Sequence, residues 1–255
     1  MIECGSLEYA QARLQARHGQ RLDEVDWHHI EVVRDFAPML ELARGTALGP
    51  WLAGITAETP AREIEVRLRG QWHAQVAEVQ GWMPPAWQPA VAWCAVLPDL
   101  APLQHLARGH EAAPWMHDEP AWRELAAAPP ASRQALLCIG PWMPLAGAWA
   151  APDIIVTIWL AEWLHRLPLH SDDTGDTLQI MLRTLAAHGH SFATAASAQG
   201  WLLRGALRTR LAVLLRRAAL EPAAVFIDLA LCALDLERLR AELLRRVLFG
   251  RWKVA

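Results

Sequence analysis

Residues 222–249 read PAAVFIDLALCALDLERLRAELLRRVLF. Within them Val225, Leu229, Cys232, Leu236, Leu239, Leu243 and Val247 recur at spacings of three and four. That period places side chains on one face of an α-helix. Pro222 suits the first turn of such a helix, where a missing N–H costs nothing, and Gly250 stops it after Phe249. At 1.5 Å per residue the helix extends on the order of 40 Å. A stripe of that length needs other helices to cover it, so the fold reads outward from here as all-α.

Upstream, Ala195–Leu220 predicts a second long helix, weakened by Gly200 and Gly205. Ile154–Leu167 is a very apolar helix ended by Pro168. The polar stretch Leu169–Asp176 then separates two sub-units, 1–168 and 177–255, of one helical domain spanning 1–255. Between Trp82 and Pro130 prolines cut the chain into short helices, with Asp99 expected to cap Leu100–Arg108 and Asp118 to cap another through Ala128. Thr59-Pro60 opens a helix whose face Ile64, Leu68, Trp72, Val76 and Val79 runs to Gly81. Asp23 caps a helix expected to reach Arg44 with a kink at Pro38, and Ser6 caps one to Arg17 closed by Gly19. No segment alternates with period two, so no sheet is expected. The sum is a compact array of short helices ending in two long ones.

Fourteen tryptophans stand beside one tyrosine, and 23 arginines beside one lysine, Lys253. The arginine excess fits a GC-rich, bacterial coding background. Apolar residues make up 53% of the chain, which argues against disorder. Tryptophan packing is the preferred role for these rings, because Trp82, Trp87 and Trp93 alternate with prolines and lack basic neighbours that a lipid surface would require. Four scattered cysteines without a CxxC read as buried free thiols of a cytoplasmic protein. Residues 135–152 carry no charge, yet Pro141, Pro144, Gly140 and Gly147 interrupt any spanning helix.

Charge is unevenly placed. Residues 1–200 hold 13 basic and 22 acidic side chains, a balance of −9, whereas residues 201–255 hold 11 and 5, a balance of +6. A basic end favours an anionic partner. Arg204, Arg208, Arg216, Arg217, Arg240, Arg245 and Arg246 are the candidate partner contacts, for an acidic protein surface rather than nucleic acid, whose phosphates the acidic body would repel. A competing reading is a metal- or small-ligand-dependent helical enzyme. Its site would draw on His165, His170, His188 and His190 around Asp172, Asp173 and Asp176, walled by Trp159, Trp163 or Trp201. No GxGxxG, GxxxxGK[ST] or GxSxG occurs, so no catalytic residue, cofactor or metal site is assigned.

Tyr9-Ala-Gln-Ala-Arg13-Leu-Gln-Ala-Arg17 is followed by a helix from Trp27 to Arg44, the segment Thr46 to Trp51, and Ile64-Glu65-Val66-Arg67-Leu68-Arg69. Together with the later Asp235-Leu-Glu237-Arg-Leu-Arg240, this order resembles the C/d-type family of V-type ATPase stalk-socket proteins. The family's asparagine in the last motif is absent here, and the chain is shorter than that family. The resemblance implies an all-α, funnel-like protein of repeated helical units without an active site. It would link the central stalk to the membrane rotor ring of an ion-transport complex, in the cytoplasm and peripheral to the inner membrane. An adaptor or regulator that binds an unrelated protein through the same basic helices remains the third reading.

Overall fold

The computed structural model describes residues 5–168 and 176–249, and among them the chain forms 13 α-helices and no strand. The all-helical class is as expected. α1 (Leu7–Gln20) begins where the Ser6 hydroxyl accepts the Tyr9 N–H, but Gly19 lies inside it and Arg21 ends it. The long second helix is two: α2 (Glu24–Val32), opened by a reciprocal capping box between Asp23 and Asp26, and α3 (Phe36–Arg44). The break has a physical reason. Pro38 in an unbroken helix would remove a hydrogen bond and crowd the carbonyl four residues back; as the third residue of α3 it sits where no intrahelical N–H is needed.

α4 (Ala61–Trp82) follows Pro60 and buries Ile64, Leu68, Trp72, Val76 and Val79, the face read from the sequence. Short helices come next: α5 (Gln88–Trp93), α6 (Leu100–Ala107), α7 (Pro114–Asp118), α8 (Pro120–Ala127) and α9 (Pro130–Leu137). All five carry a proline in the first turn, at the first or second position in α5, α7, α8 and α9 and at the third, Pro102, in α6, where the missing N–H breaks no intrahelical bond. Two expected caps are corrected. Asp118 closes α7, and Glu119 occupies the cap position of α8. Asp99 precedes α6 but makes no cap bond, because its carboxylate holds Arg69 and the Trp142 indole N–H instead. The uncharged stretch folds as the end of α9, turns, and a 3-10 segment Met143–Ala148. No helix of the described residues is long and apolar enough to cross a membrane.

α10 (Ile155–His165) precedes a helix the sequence pattern did not reveal, α11 (Asp176–Thr194). The chain therefore ends in three long helices, with α12 (Gly200–Arg217) and α13 (Ala223–Phe249). α12 starts later than expected, at a glycine. A Cβ there would approach the Arg204 guanidinium at 3.2 Å and the Phe192 ring at 3.5 Å, so Gly200 lets α11 close onto α12.

α13 is the axis of the molecule. Ala223 to Leu229 are buried on every side, and Leu239 and Leu243 enter a second core formed with α2, α3 and the first half of α4. The larger core gathers α1, the rest of α4, the short helices and the start of α13. Tryptophans wall it: Trp72, Trp82, Trp87, Trp93, Trp115, Trp122, Trp142 and Trp163 are all buried there. Trp122 lies between Trp115 and Trp142 with ring centroids 5.3 and 4.5 Å away, and the Arg69 guanidinium stacks 3.9 Å from the Trp115 ring. Large rigid rings fill the irregular gaps that short helices leave at their crossings.

Candidate functional site

Beside its apolar stripe, α13 carries Asp235, Arg238 and Glu242 at spacings of three and four. They floor a cleft of about 710 Å³. One wall is α2, whose Trp27 and Ile30 point into the core and leave Glu24 and Glu31, seven apart, to face the cleft. The other wall is α12, contributing Trp201, Leu202, Arg204, Gly205, Ala206, Arg208 and Thr209.

The floor is a lattice of ion pairs. Arg238 donates to Glu31 at 2.7 Å and to Glu24 at 2.9 Å. Arg208 reaches Glu24 at 3.1 Å and Asp235 at 3.3 Å, and also donates to the Leu22 carbonyl. Behind Asp235, Arg21 donates to Asp235 at 2.7 Å and to the fully buried Asp228 at 2.6 Å, with the Cys232 sulfur 3.0 Å away. Helices separated by some 200 residues in sequence are thus tied together around α13.

Electrostatics follow from that packing. Burial works to raise Glu24, but hydrogen bonds and charge from Arg238 and Arg208 prevail and hold it below its ordinary value. Asp235 is pushed upward by burial, with Arg21 and Arg208 opposing. Burial would lower Arg238, yet Glu31 and Glu24 raise it. Burial, with the nearby Asp228 carboxylate, pushes the Cys232 thiol up to about 12, so it stays protonated at neutral pH and is a poor nucleophile. Every carboxylate lining the cleft already holds a guanidinium, because Glu242 pairs with Arg245 and Arg246. The arrangement suits binding better than acid–base chemistry.

Of the seven candidate arginines, the cleft brings together Arg204 and Arg208. Arg204 donates to Glu237 at 2.7 Å and lies 4.5 and 5.0 Å from the Phe192 and Trp201 rings. Arg240 faces α4, where it grips both carboxylate oxygens of Glu65. Arg245 pairs with Glu242 at 2.9 Å. Arg246 is buried and caps the C terminus of α2, donating to the carbonyls of Ile30, Glu31 and Val33. Arg216 and Arg217 are exposed at the end of α12 and hold no hydrogen bond or ion pair among the described residues. Much of the basic tail is therefore answered inside the chain by Glu24, Glu31 and Glu65. Glu24, Glu31 and Arg238 were missed as site residues; their signal was the outward seven-residue spacing on α2 and the charged stripe on α13.

The histidine region is dispersed. His170, Asp172 and Asp173 lie outside the described residues, while His165 ends α10 and His188 and His190 ride on α11. Among the described residues no group of three or more His, Cys, Asp or Glu is placed to hold a metal ion. Trp163 is buried against Phe226, whereas Trp201 is half exposed on the cleft rim. Comparison of the chain with protein-family models, with curated proteins and with solved structures gave no match in any of the three.

Proposed function

We propose that the chain is a non-catalytic helical subunit that binds a partner protein through the cleft between α2 and α12. One observation carries this reading: Leu202, 76% exposed, and Trp201, 50% exposed, stand together on the rim of a concave site. Apolar side chains so placed lose water when a second protein covers them, and tryptophan is prominent among residues that dominate such contacts. The paired charges of the floor let the cleft be covered without leaving an uncompensated ion. The rotary-ATPase stalk and rotor ring are the particular partners named by the sequence resemblance, and binding them would place the chain at a membrane periphery.

The test is affinity purification of the tagged full-length chain from its own cells, beside Leu202→Asp and Trp201→Ala variants whose helicity is checked by circular dichroism. A partner retained in stoichiometric amount by the wild type and lost from folded Leu202→Asp is the expected result. Stalk or ring subunits in that fraction support the rotary-ATPase assignment. If folded Leu202→Asp keeps every associated chain, the cleft is not the docking surface.

A further inference from the structure

A second concavity, with a different lining, lies between α1 and the end of α12. It encloses about 300 Å³ and is lined by Gln11, Leu14, Gln15, His18, Leu215 and Arg216. Its polar lining consists of two carboxamides, an imidazole and a guanidinium, with no carboxylate. Arg216 is exposed and holds no hydrogen bond or ion pair among the described residues. The Nδ1 of His18 is buried without a hydrogen-bond partner. Gln11 spends its oxygen on the Leu220 N–H at 3.3 Å, which leaves its NH₂ group as the free end.

We infer that this cavity is a binding site for a compact oxyanion of the phosphate or sulfate class. Arg216 would supply the charge, His18 and the two carboxamides would donate to the remaining oxygens, and Leu14 and Leu215 would wall an apolar portion of a larger phosphate-bearing ligand. The volume is at the small end of ligand sites and excludes a nucleic acid strand. Guanidinium is the side chain best matched to such oxygens. The C termini of α1 and α12 bring partial negative charge, roughly half a charge each, against which stand the full charges of Arg216 and Arg217 in the last turn of α12.

Charge around His18 supports the same ligand. The groups facing it are Arg21 from the end of α1, Arg208 and Arg216 from α12, and Asp228 from α13. Burial, then Arg21, lowers the imidazole below its ordinary 6.5, with Arg216 and Arg208 adding and Asp228 opposing. An anion in the cavity reverses that balance, so binding draws a proton onto His18 and tightens as pH falls.

Inorganic sulfate is the probe, because it does not titrate between pH 5 and 8. Calorimetric titration of the full chain should show saturable binding that strengthens several-fold from pH 8 to pH 5.5, about tenfold being the limit for a one-unit rise in the His18 pKa. Arg216→Ala, a change at an exposed position, should weaken sulfate about tenfold or more, the loss of one charge-assisted contact. Arg216→Lys should restore part of it, and His18→Gln should leave binding that no longer responds to pH. Inorganic phosphate and a small phosphomonoester, titrated in parallel, show whether the free ion or an ester is the better fit. The inference is overturned if neither sulfate nor phosphate saturates the chain at millimolar concentration, or if Arg216→Ala binds as the wild type does.

Discussion

Trp93 and Trp159 exchange hydrogen bonds: each indole N–H donates to the other residue's backbone carbonyl, at 3.0 and 3.3 Å. The exchange clasps α5 to α10 across 66 residues of chain, and Arg166 lies 4.5 Å from the Trp93 ring on the same contact. Because either bond holds the rings where the other forms, the two reinforce each other. Trp93→Phe and Trp159→Phe should each lower the unfolding free energy by about 1–3 kcal/mol, through the lost indole hydrogen bond and the smaller ring. The double variant should lose less than the sum. Urea denaturation of the four proteins measures this coupling, and strict additivity would show that the bonds are independent.

Arg69 and Asp99 form an ion pair in which both side chains are buried, and Asp99 also accepts the Trp142 N–H at 2.8 Å. Arg69 donates as well to the Pro98 carbonyl at 2.9 Å. Removing one charge strands the other in a site walled by indoles. Asp99→Ala and Arg69→Met should therefore each cost about 3–5 kcal/mol. Arg69→Met combined with Asp99→Asn keeps an acceptor for Trp142 and removes both charges of the pair, with the nearby Glu119 the carboxylate left behind, so it should be milder than either single variant. Chemical denaturation that found the double variant the least stable of the set would refute the stranded-charge account.

What the sequence revealed here, and what it concealed, follow from range. The apolar faces of α4 and α13 repeat at helical spacing and were legible, as were the Ser6 and Asp23 caps, whose partners lie within three residues. Asp99 was misjudged because the local rule for a cap competed with a partner 30 residues away, Arg69, and one 43 away, Trp142. The same holds for the basic tail. Ten arginines in the last 55 residues announce an anionic partner, but the glutamates that answer Arg208, Arg238 and Arg240 belong to α2 and α4 of this chain. α11 escaped notice because its apolar positions are interrupted by Gly189, His188 and His190, and most of it is exposed.

Glu24 gives the cleft a defined pH dependence. Its folded-state pKa lies below the ordinary 4.5 because Arg238 and Arg208 favour the charged form despite burial. A depressed acid contributes stability that is present above its unfolded pKa and lost as pH falls through the folded one. The gap in melting temperature between wild type and Glu24→Gln should thus be widest above about pH 5 and close progressively below pH 4. Asp235 works in the opposite direction, since burial raises it, so only the difference between the two proteins isolates Glu24. Thermal melts from pH 3 to 7 decide the point; a gap that widens in acid would contradict the sign.

Leu220 holds a left-handed backbone, φ 62°, in the short link between α12 and α13. Its N–H donates to Gln11, and its side chain remains 55% exposed, so little packing compensates the strain. An L-residue there costs roughly 1–2 kcal/mol, and glycine avoids this at the expense of roughly 0.5–1 kcal/mol of backbone entropy. Leu220→Gly should consequently be neutral to slightly stabilising, although it deletes an apolar side chain. Leu220→Val, β-branched and worse suited to positive φ, should be destabilising despite its closer chemistry. Melting temperatures therefore fall in the order Gly, Leu, Val. Contacts alone would give Leu, Val, Gly, and the measured order separates a link set by backbone geometry from one set by burial.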